Sequence, residues 1–456
     1  MKKQLFTPGL SLPLRNVLLS SVLVCGVLLC GILTGCSAEP QPDPEPITVR
    51  IKCPPMTMAY DADHPDAEVY DLFQEAAEKF TAQYEDAKVN FIIEKFQYVD
   101  EKARVIDTFG TDEAADILFG GSFNIPTYIL ENRLAPWDEM IDDTLRSDID
   151  DAIWAQCMAD GKTYLMPYFQ LQNTLMVNAD LMQAAGMEAY IPPKDTIAQW
   201  STEELNQILA ALRESMTDSY SFPFFAYGAN NQGDLHTMTL LRAYGCGIFD
   251  KDGNFAINTP EGIRALTWLK ELNNQGITPK GAENLELMSN MDLFYHGQMA
   301  ICMGNQVNLN DCRNLYGLNV FLANFPSPDG NGYATSYLNG FTLFDNGKPE
   351  VLRVARDFIR SIYSDKELLR YSLCSTPVLR SYVEEHRDEV WMMKAYSDNS
   401  VNVVDFLNNT PNWEGVRAAF YPNIQDLYRG NKTPSEVAAA IDESCNAAIA
   451  QGRALK

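Results

Sequence analysis

Three groups of residues in this 456-residue chain could in principle do chemistry with a metal or a reacting bond. Asp250, Asp252, Asn254 and Glu261 fill the first, third, fifth and twelfth positions of a calcium loop. The sixth position is Phe255, where such a loop needs glycine, so Asp252-Gly253 reads instead as the tip of a hairpin. Asp61, Asp63, His64 and Asp66 form an acidic cluster that could hold a cation, and its default reading is a solvated loop. The four histidines never fall at H-x-x-x-H spacing and the cysteines never at C-x-x-C, so a zinc or manganese role has no support. G-x-S-x-G and H-E-x-x-H are both missing from the sequence. With 61 acidic residues, paired carboxylates are always to be found, so they cannot argue for a hydrolase. What remains is recognition rather than reaction, and no cofactor is expected.

Cysteine use agrees with an exported chain that does not depend on a disulfide framework. Of ten cysteines, Cys25 and Cys30 lie in an N-terminal apolar run and Cys36 just after it. Cys53, Cys157, Cys246, Cys302, Cys312, Cys374 and Cys445 remain, an odd set in which at least one must be free. Buried thiols are the plain expectation, with Cys302 and Cys312 as the candidate disulfide.

The N-terminus explains the export. Lys2, Lys3 and Arg15 precede an apolar run from Val17 to Leu33, the layout of a secretory signal. Leu33-Thr34-Gly35-Cys36 resembles a bacterial lipoprotein signal box, which implies cleavage after residue 35 and a diacylglycerol on Cys36. Two acyl chains, at roughly 0.8 kcal/mol per buried methylene, anchor stably. Residues 36–47, rich in proline and acid, read as an extended tether. Removing Lys2, Lys3 and Arg15 takes the formal charge from −26 to −29, which excludes nucleic acid as a partner. The expected location is extracytoplasmic, lipid-anchored to the bacterial cell membrane.

Beyond the tether, strand and helix patterns alternate. PITVRIKC and KVNFIIE are strand-like, and EVYDLFQEAAEKFTAQYE between them puts Val69, Leu72, Phe73, Ala76, Phe80 and Tyr84 on one helical face. The strand ADILFGG follows a helical stretch around Val105. Helix starts are well marked later: Thr259-Pro260, Ser201 with Glu204, and Thr433 with Glu436. This rhythm predicts α/β lobes with a largely parallel sheet, and a chain of this length predicts two of them.

Five fragments in order resemble the extracellular solute-binding proteins of ABC importers, of the carbohydrate type that includes maltose-binding protein. They are EAAEKFTAQYEDAKVNFI, AADILFGGSFNIPTYILENRLAPWDEMI, GKTYLMPYFQLQNTLMVNADLMQAAGM, LFYHGQMAICMGN and FPSPDGNGYATSYLNGFTLF. The resemblance implies an α/β fold of the type II periplasmic-binding-protein kind, with two lobes joined by hinge crossings and a ligand cleft between them. It implies lobe 1 from 48–169 plus 341–378 and lobe 2 from 170–340 plus 379–456. Crossings are expected near Tyr168–Asn173, Tyr337–Phe341 and Thr376–Arg380. It also implies a monomer that closes on ligand and is read by ABC permease transmembrane subunits.

Sugars present ring C–H faces and many hydroxyls, so aromatic planes and amides suit them. The resemblance places Phe123 and Asn124 in the pocket loop, where this sequence lacks the tryptophan and charged pair of maltose-binding protein. Tyr168, Phe169, Gln170 and Gln172 occupy the first crossing, of which strand alternation sends half toward ligand. Asn230, Asn231, Asn305, Tyr337 and Asn339 are the other polar candidates. Trp413, at the start of NWEGVRAAF, is the expected stacking tryptophan. Trp137, Trp154, Trp200 and Trp268 read as packing, while Trp391 fits neither group. A peptide or polyamine receptor is the alternative ligand class, and an exported glycan hydrolase the alternative activity.

Overall fold

The computed structural model describes residues 45–61, 63–97, 101–228, 233–404, 407 and 410–454. Cys36, the apolar run before it, and Asn230 and Asn231 therefore lie outside the described residues. The strands that position the site are β1 (Ile47–Cys53), β2 (Val89–Lys95), β3 (Ile117–Gly121), β4 (Leu165–Asn178), β5 (Ile301–Gly304), β6 (Val320–Ala323), β7 (Ala334–Phe344) and β8 (Thr376–Pro377). The helices used below are α1 (Val69–Gln83), α2 (Gly233–Leu241), α3 (Pro260–Asn274), α4 (Gln306–Asn314), α5 (Pro349–Ser364), α6 (Trp413–Arg429) and α7 (Pro434–Ala454).

β1 lies between β2 and β3, parallel to both, in register from Ile47 opposite Val89 to Cys53 opposite Lys95. α1 is the connection between β1 and β2. It opens on a reciprocal cap between Glu68 and Asp71, which satisfies backbone donors at the helix start. Its buried stripe is Val69, Leu72, Phe73, Ala76 and Phe80. Phe73 and Phe80 pack on Phe358 of α5, and this apolar seam fixes both helices on one face of the sheet. Tyr84, the last residue of the predicted stripe, is only half-buried and donates its hydroxyl to Asp357.

The sheet order is β2-β1-β3-β7-β4-β6, with the short strand Ile197–Ala198 at the far end. β4 is the key element. All fourteen of its residues are buried, as expected of a strand covered on both faces. From Leu165 to Asn173 it pairs antiparallel with β7. From Thr174 onward it pairs instead with β5 and β6. One continuous strand thus changes partners part-way along its length. β8 lies against β4 at Phe169 and Gln170, so the three segments expected to cross run side by side. The β4–β7 ladder shifts register between Asn339 and Gly340. Only glycine fits there, because a Cβ on Gly340 would sit 2.1 Å from the Met166 carbonyl oxygen.

In the second half the marked helix starts form caps. Thr259 caps α3, Ser201 and Glu204 cap each other, and Thr433 accepts from and donates to Glu436 at the head of α7. In α7 the buried face includes Val437, Ala438, Ile441 and Cys445. The packing tryptophans are pinned by backbone or amide acceptors: Trp137 on Phe341, Trp154 on Arg146, Trp200 on Tyr190 and Trp268 on Asn206.

Two sequence expectations resolve here. The seven described cysteines are all buried thiols, so Cys302 and Cys312 are not bonded to each other. Burial in apolar surroundings pushes the Cys53 and Cys312 thiols up to about 12, which keeps them protonated and inert. The calcium-loop residues form a hairpin: Asp250 accepts from the backbone of Asp252 and Asn254, and Phe249 and Phe255 bridge across it. Asp61 is likewise engaged by His64 and by the backbone of Asp63. Among the described residues no group of three His, Cys, Asp or Glu side chains could hold a metal, and no helix is long and apolar enough to cross a membrane.

Candidate ligand-binding cleft

A single stripe of α6 organises the site. Trp413, Arg417 and Tyr421 are spaced four residues apart and so share one helix face. Asn412 starts the helix from a left-handed backbone conformation (φ 57°), its side chain accepting from Gly415 N–H. All three side chains converge on Asp234, in the first turn of α2. Trp413 Nε1 donates to Asp234 Oδ2 at 3.1 Å and Arg417 Nε to the same oxygen at 2.7 Å. The Tyr421 hydroxyl donates to Asp234 Oδ1 at 3.3 Å and accepts from the Asp234 backbone N–H at 2.9 Å. Gly233 permits this approach, since a Cβ there would lie 2.7 Å from the Phe225 carbonyl oxygen and 3.2 Å from the Tyr421 ring.

The opposite wall comes from β3 and β7. β3 ends at Gly121, and the following turn, Ser122–Asn124, presents Phe123. The Phe123 ring folds back over Gly121, where any Cβ would collide with it at 2.1 Å. It meets Tyr337 of β7 edge-on, with centroids 5.6 Å apart, and the Arg417 guanidinium carbon lies 5.7 Å from its centroid. Arg417 therefore holds an ion pair with α2 and a cation–π contact to the turn after β3.

Burial shapes the electrostatics. The Asp234 and Arg417 side chains are 2% and 4% exposed, so each charge depends on its partner. Burial disfavours the guanidinium charge, but Asp234, Tyr421 and Glu414 outweigh it and hold the Arg417 pKa above its ordinary value. Burial pushes the Tyr337 phenol well up, Asp234 adds to that, and Arg417 opposes it. The result is a neutral phenol beside a locked ion pair, lined by three aromatic rings.

The sequence candidates divide sharply. Phe123, Tyr337, Asn339 and Trp413 fall at or beside this cluster, and Asn124 is buried next to Phe123. The Tyr337 hydroxyl and Asn339 Nδ2 are buried without a partner among the described residues. Such groups are costly unless something pairs with them. Tyr168 and Phe169 do not join it. Both are enclosed in an aromatic core with Phe119, and the Tyr168 hydroxyl is spent on the Leu368 carbonyl. Gln170 and Gln172 are opposite Leu338 and Ser336 in the ladder, one residue out of phase with Tyr337 and Asn339. They point to the other side, where Gln170 reaches Ser336 and Gln172 reaches Gln170, Tyr396 and Asn399. That amide network joins the crossings to one another. Asn305 caps α4 and donates to Asn173 at 3.3 Å, a structural use of both ends of its amide.

Asp234, Arg417 and Tyr421 went unnoticed in the sequence. Their sign was the four-residue spacing from Trp413 in WEGVRAAFY, which puts a cation and a phenol on the tryptophan's face.

Comparison with known proteins settles the family. The pattern of the bacterial extracellular solute-binding protein family matches residues 65–367. The chain belongs to that family. A binding protein of Brucella abortus (strain 2308) is 22% identical over 281 residues, 60% of this chain and 65% of that one, so the match spans under two-thirds of that relative. Among solved structures, a cyclic alpha-maltosyl-1,6-maltose binding protein from Arthrobacter globiformis superposes with a TM-score of 0.71 at 19% identity, over 90% of this chain and 100% of that one. An ABC transporter solute-binding protein from Thermotoga lettingae, bound with alpha-D-tagatose, gives 0.70 at 14% identity over 88% and 100%. A maltose-bound protein of T. maritima gives 0.69 at 14% over 88% and 99%. These likenesses show the fold, two α/β lobes of the type II periplasmic-binding kind. Family members are binding proteins that act outside the cytoplasm.

Proposed function

We propose that this solute-binding protein captures a neutral, hydroxyl-rich ligand, a sugar or short oligosaccharide, and delivers it to an ABC permease. The carrying observation is the cluster of Phe123, Tyr337 and Trp413 around the Asp234–Arg417 pair, on residues drawn from both lobes. Aromatic planes suit sugar C–H faces, and a carboxylate beside a guanidinium offers acceptor and donor to vicinal hydroxyls. Solved structures of this fold include a cyclic alpha-maltosyl-1,6-maltose binding protein and a solute-binding protein bound with alpha-D-tagatose, which supports the class and leaves the ring number open. The polyamine alternative is weakened by charge. Asp234 is already neutralised by Arg417, and Glu414 also pairs with Arg417 at 3.3 Å.

Closure about the β4, β7 and β8 crossings, at the lobe boundaries 169/170, 340/341 and 378/379, would hold the Phe123 wall against the α6 stripe, where Arg417 already meets Phe123. Ligand contacts to both walls then favour the closed form. Cys36 would carry the acyl anchor and residues 36–47 the tether, as a monomer on the extracytoplasmic side of the bacterial cell membrane.

The test is thermal unfolding of residues 37–456 against sugars, peptides and polyamines. A ligand at 100 times its dissociation constant adds about 2.7 kcal/mol. A saccharide shift lost in Trp413→Ala supports this reading. A peptide or polyamine shift with sugars silent overturns the ligand class and keeps the importer role.

A further inference from the structure

A wide concavity lies elsewhere. A groove of about 960 Å³ runs between the loop at residues 191–196, the segment 309–322, and the segment 387–395. It shares no lining residue with the Asp234–Arg417 cluster. Its volume is at the upper end of the range typical of small-molecule sites.

The groove is built around Trp391, the tryptophan with no packing role in the sequence reading. Its indole is half-buried, and Nε1 donates to Asp195 Oδ1 at 2.7 Å. The Arg313 guanidinium carbon lies 4.7 Å from the ring centroid. On the inner side, Gln306 Nε2 donates to the Trp391 carbonyl oxygen at 3.2 Å. The ring is thus held by Asp195 and Arg313 and its backbone by Gln306, without the indole being enclosed. Backbone strain gathers at the same place. Met392 and Asp195 have φ of 67° and 59°, two of the five described non-glycine residues with positive φ, and both line the groove. A left-handed conformation costs a side-chain-bearing residue roughly 1–2 kcal/mol, and such outliers gather at functional sites.

The lining chemistry narrows the ligand. Lys194, Arg313, Arg387 and Lys394 face Asp195, Asp388 and Glu389, a near balance of charge that favours neither a polyanion nor a polycation. Apolar surface from Phe321 and Leu318 lies among these polar groups. An oriented indole with a carboxylate at its edge and a guanidinium over one face leaves its other face to match a sugar ring, which presents an apolar face and a rim of hydroxyls.

We propose that this groove is a second carbohydrate site, distinct from the interlobe cleft, with Trp391 as its stacking platform and Asp195 and Arg313 as hydroxyl partners. It would take a segment of oligosaccharide, so the protein could hold a longer glycan than its cleft encloses.

The experiment uses residues 37–456 with methyl-labelled methionine, titrated with maltoheptaose, cellohexaose and xylohexaose. Met392 lines the groove, so its methyl resonance reports local occupancy, assigned through Met392→Leu. Support is a saturable shift of Met392 by at least one of these glycans that weakens tenfold or more in Trp391→Ala. Arg313→Ala, at an exposed position, supplies a second variant should Trp391→Ala fold poorly, and it should weaken the same shift severalfold. The proposal is overturned if none of the three glycans moves Met392 at millimolar concentration. It is overturned equally if the shift is indifferent to both variants. Trp413→Ala separates this idea from the cleft reading: a groove event must survive it, whereas cleft binding must not.

Discussion

Arg417 Nε lies 2.7 Å from Asp234 Oδ2, and its guanidinium carbon lies 5.7 Å from the centroid of the Phe123 ring on the opposite wall. One side chain thus touches both walls of the cleft. The pair is almost fully buried, so its Coulomb energy is largely offset by the loss of hydration. Removing one member leaves the other charge buried and unpaired, which costs about 3–5 kcal/mol. We predict that Asp234→Ala lowers stability by that order in urea unfolding. The double variant Asp234→Ala/Arg417→Met should recover most of the loss while failing to restore ligand binding. Full recovery of both would show that the pair is only structural.

Trp413 fills a different role from its neighbours. It begins α6, rests near Phe255 and donates to Asp234. Truncating a buried tryptophan to alanine costs about 3–5 kcal/mol. Trp413→Phe keeps most of the volume and loses the N–H donor. We predict that Trp413→Phe unfolds within about 1–2 kcal/mol of the natural protein but loses at least tenfold in saccharide affinity by calorimetry.

Much of this was legible locally. Caps at Ser201, Thr259 and Thr433, the α1 stripe and the hairpin at Asp252-Gly253 all depend on neighbours within a few residues, and the chain adopts them. Trp413 stands out through the family resemblance rather than through local pattern, and its side chain is buried against Asp234. The crossing strand was not legible. Alternation says that Gln170 and Gln172 share a face, but not whether that face meets ligand or the Tyr396–Asn399 segment. The answer depends on register with β7, a contact some 165 residues away in sequence. Asp234 was hidden differently. All nine residues of α2 are buried, so the helix carries no amphipathic period to orient a reader.

His236 sits two residues beyond Asp234, stacked on Phe225 at 4.6 Å, with Nε2 3.3 Å from the Pro223 carbonyl oxygen. Burial lowers its pKa to about 4, and the Pro223 carbonyl only partly opposes this. The unfolded chain then binds a proton that the folded chain does not between about pH 6.5 and 4. Stability from this residue is complete above pH 6.5 and falls as pH drops through that window, by about 3 kcal/mol in total. His236→Phe should flatten the difference, read as a smaller loss of urea midpoint between pH 7 and 5 than in the natural protein.

Gly340 tests the crossing itself. A Cβ there would lie 2.1 Å from the Met166 carbonyl oxygen and 2.9 Å from the Pro167 Cα, both backbone atoms that cannot swing away. Gly340→Ala must therefore push β7 off β4 at its bulge. We predict a loss of more than about 2 kcal/mol and faster amide exchange across residues 337–342. A substitution tolerated without either change would mean that the two strands slide freely at this point.

Tyr337 links stability to function. Its phenol is buried, neutral and without a partner among the described residues, beside Asn339, whose Nδ2 is in the same condition. A buried hydroxyl with no partner costs about 1–3 kcal/mol, so nothing in the free protein rewards it. Tyr337→Phe removes the oxygen and keeps the ring against Phe123. We predict that this variant melts at the same temperature as the natural protein or a few degrees higher. If the hydroxyl is kept for a ligand, the same variant should bind that ligand about tenfold more weakly, because a polar group on the ligand then loses its partner. Calorimetry on both proteins reads the two effects separately. Higher stability with unchanged affinity would remove Tyr337 from the ligand wall and leave its ring as packing for Phe123.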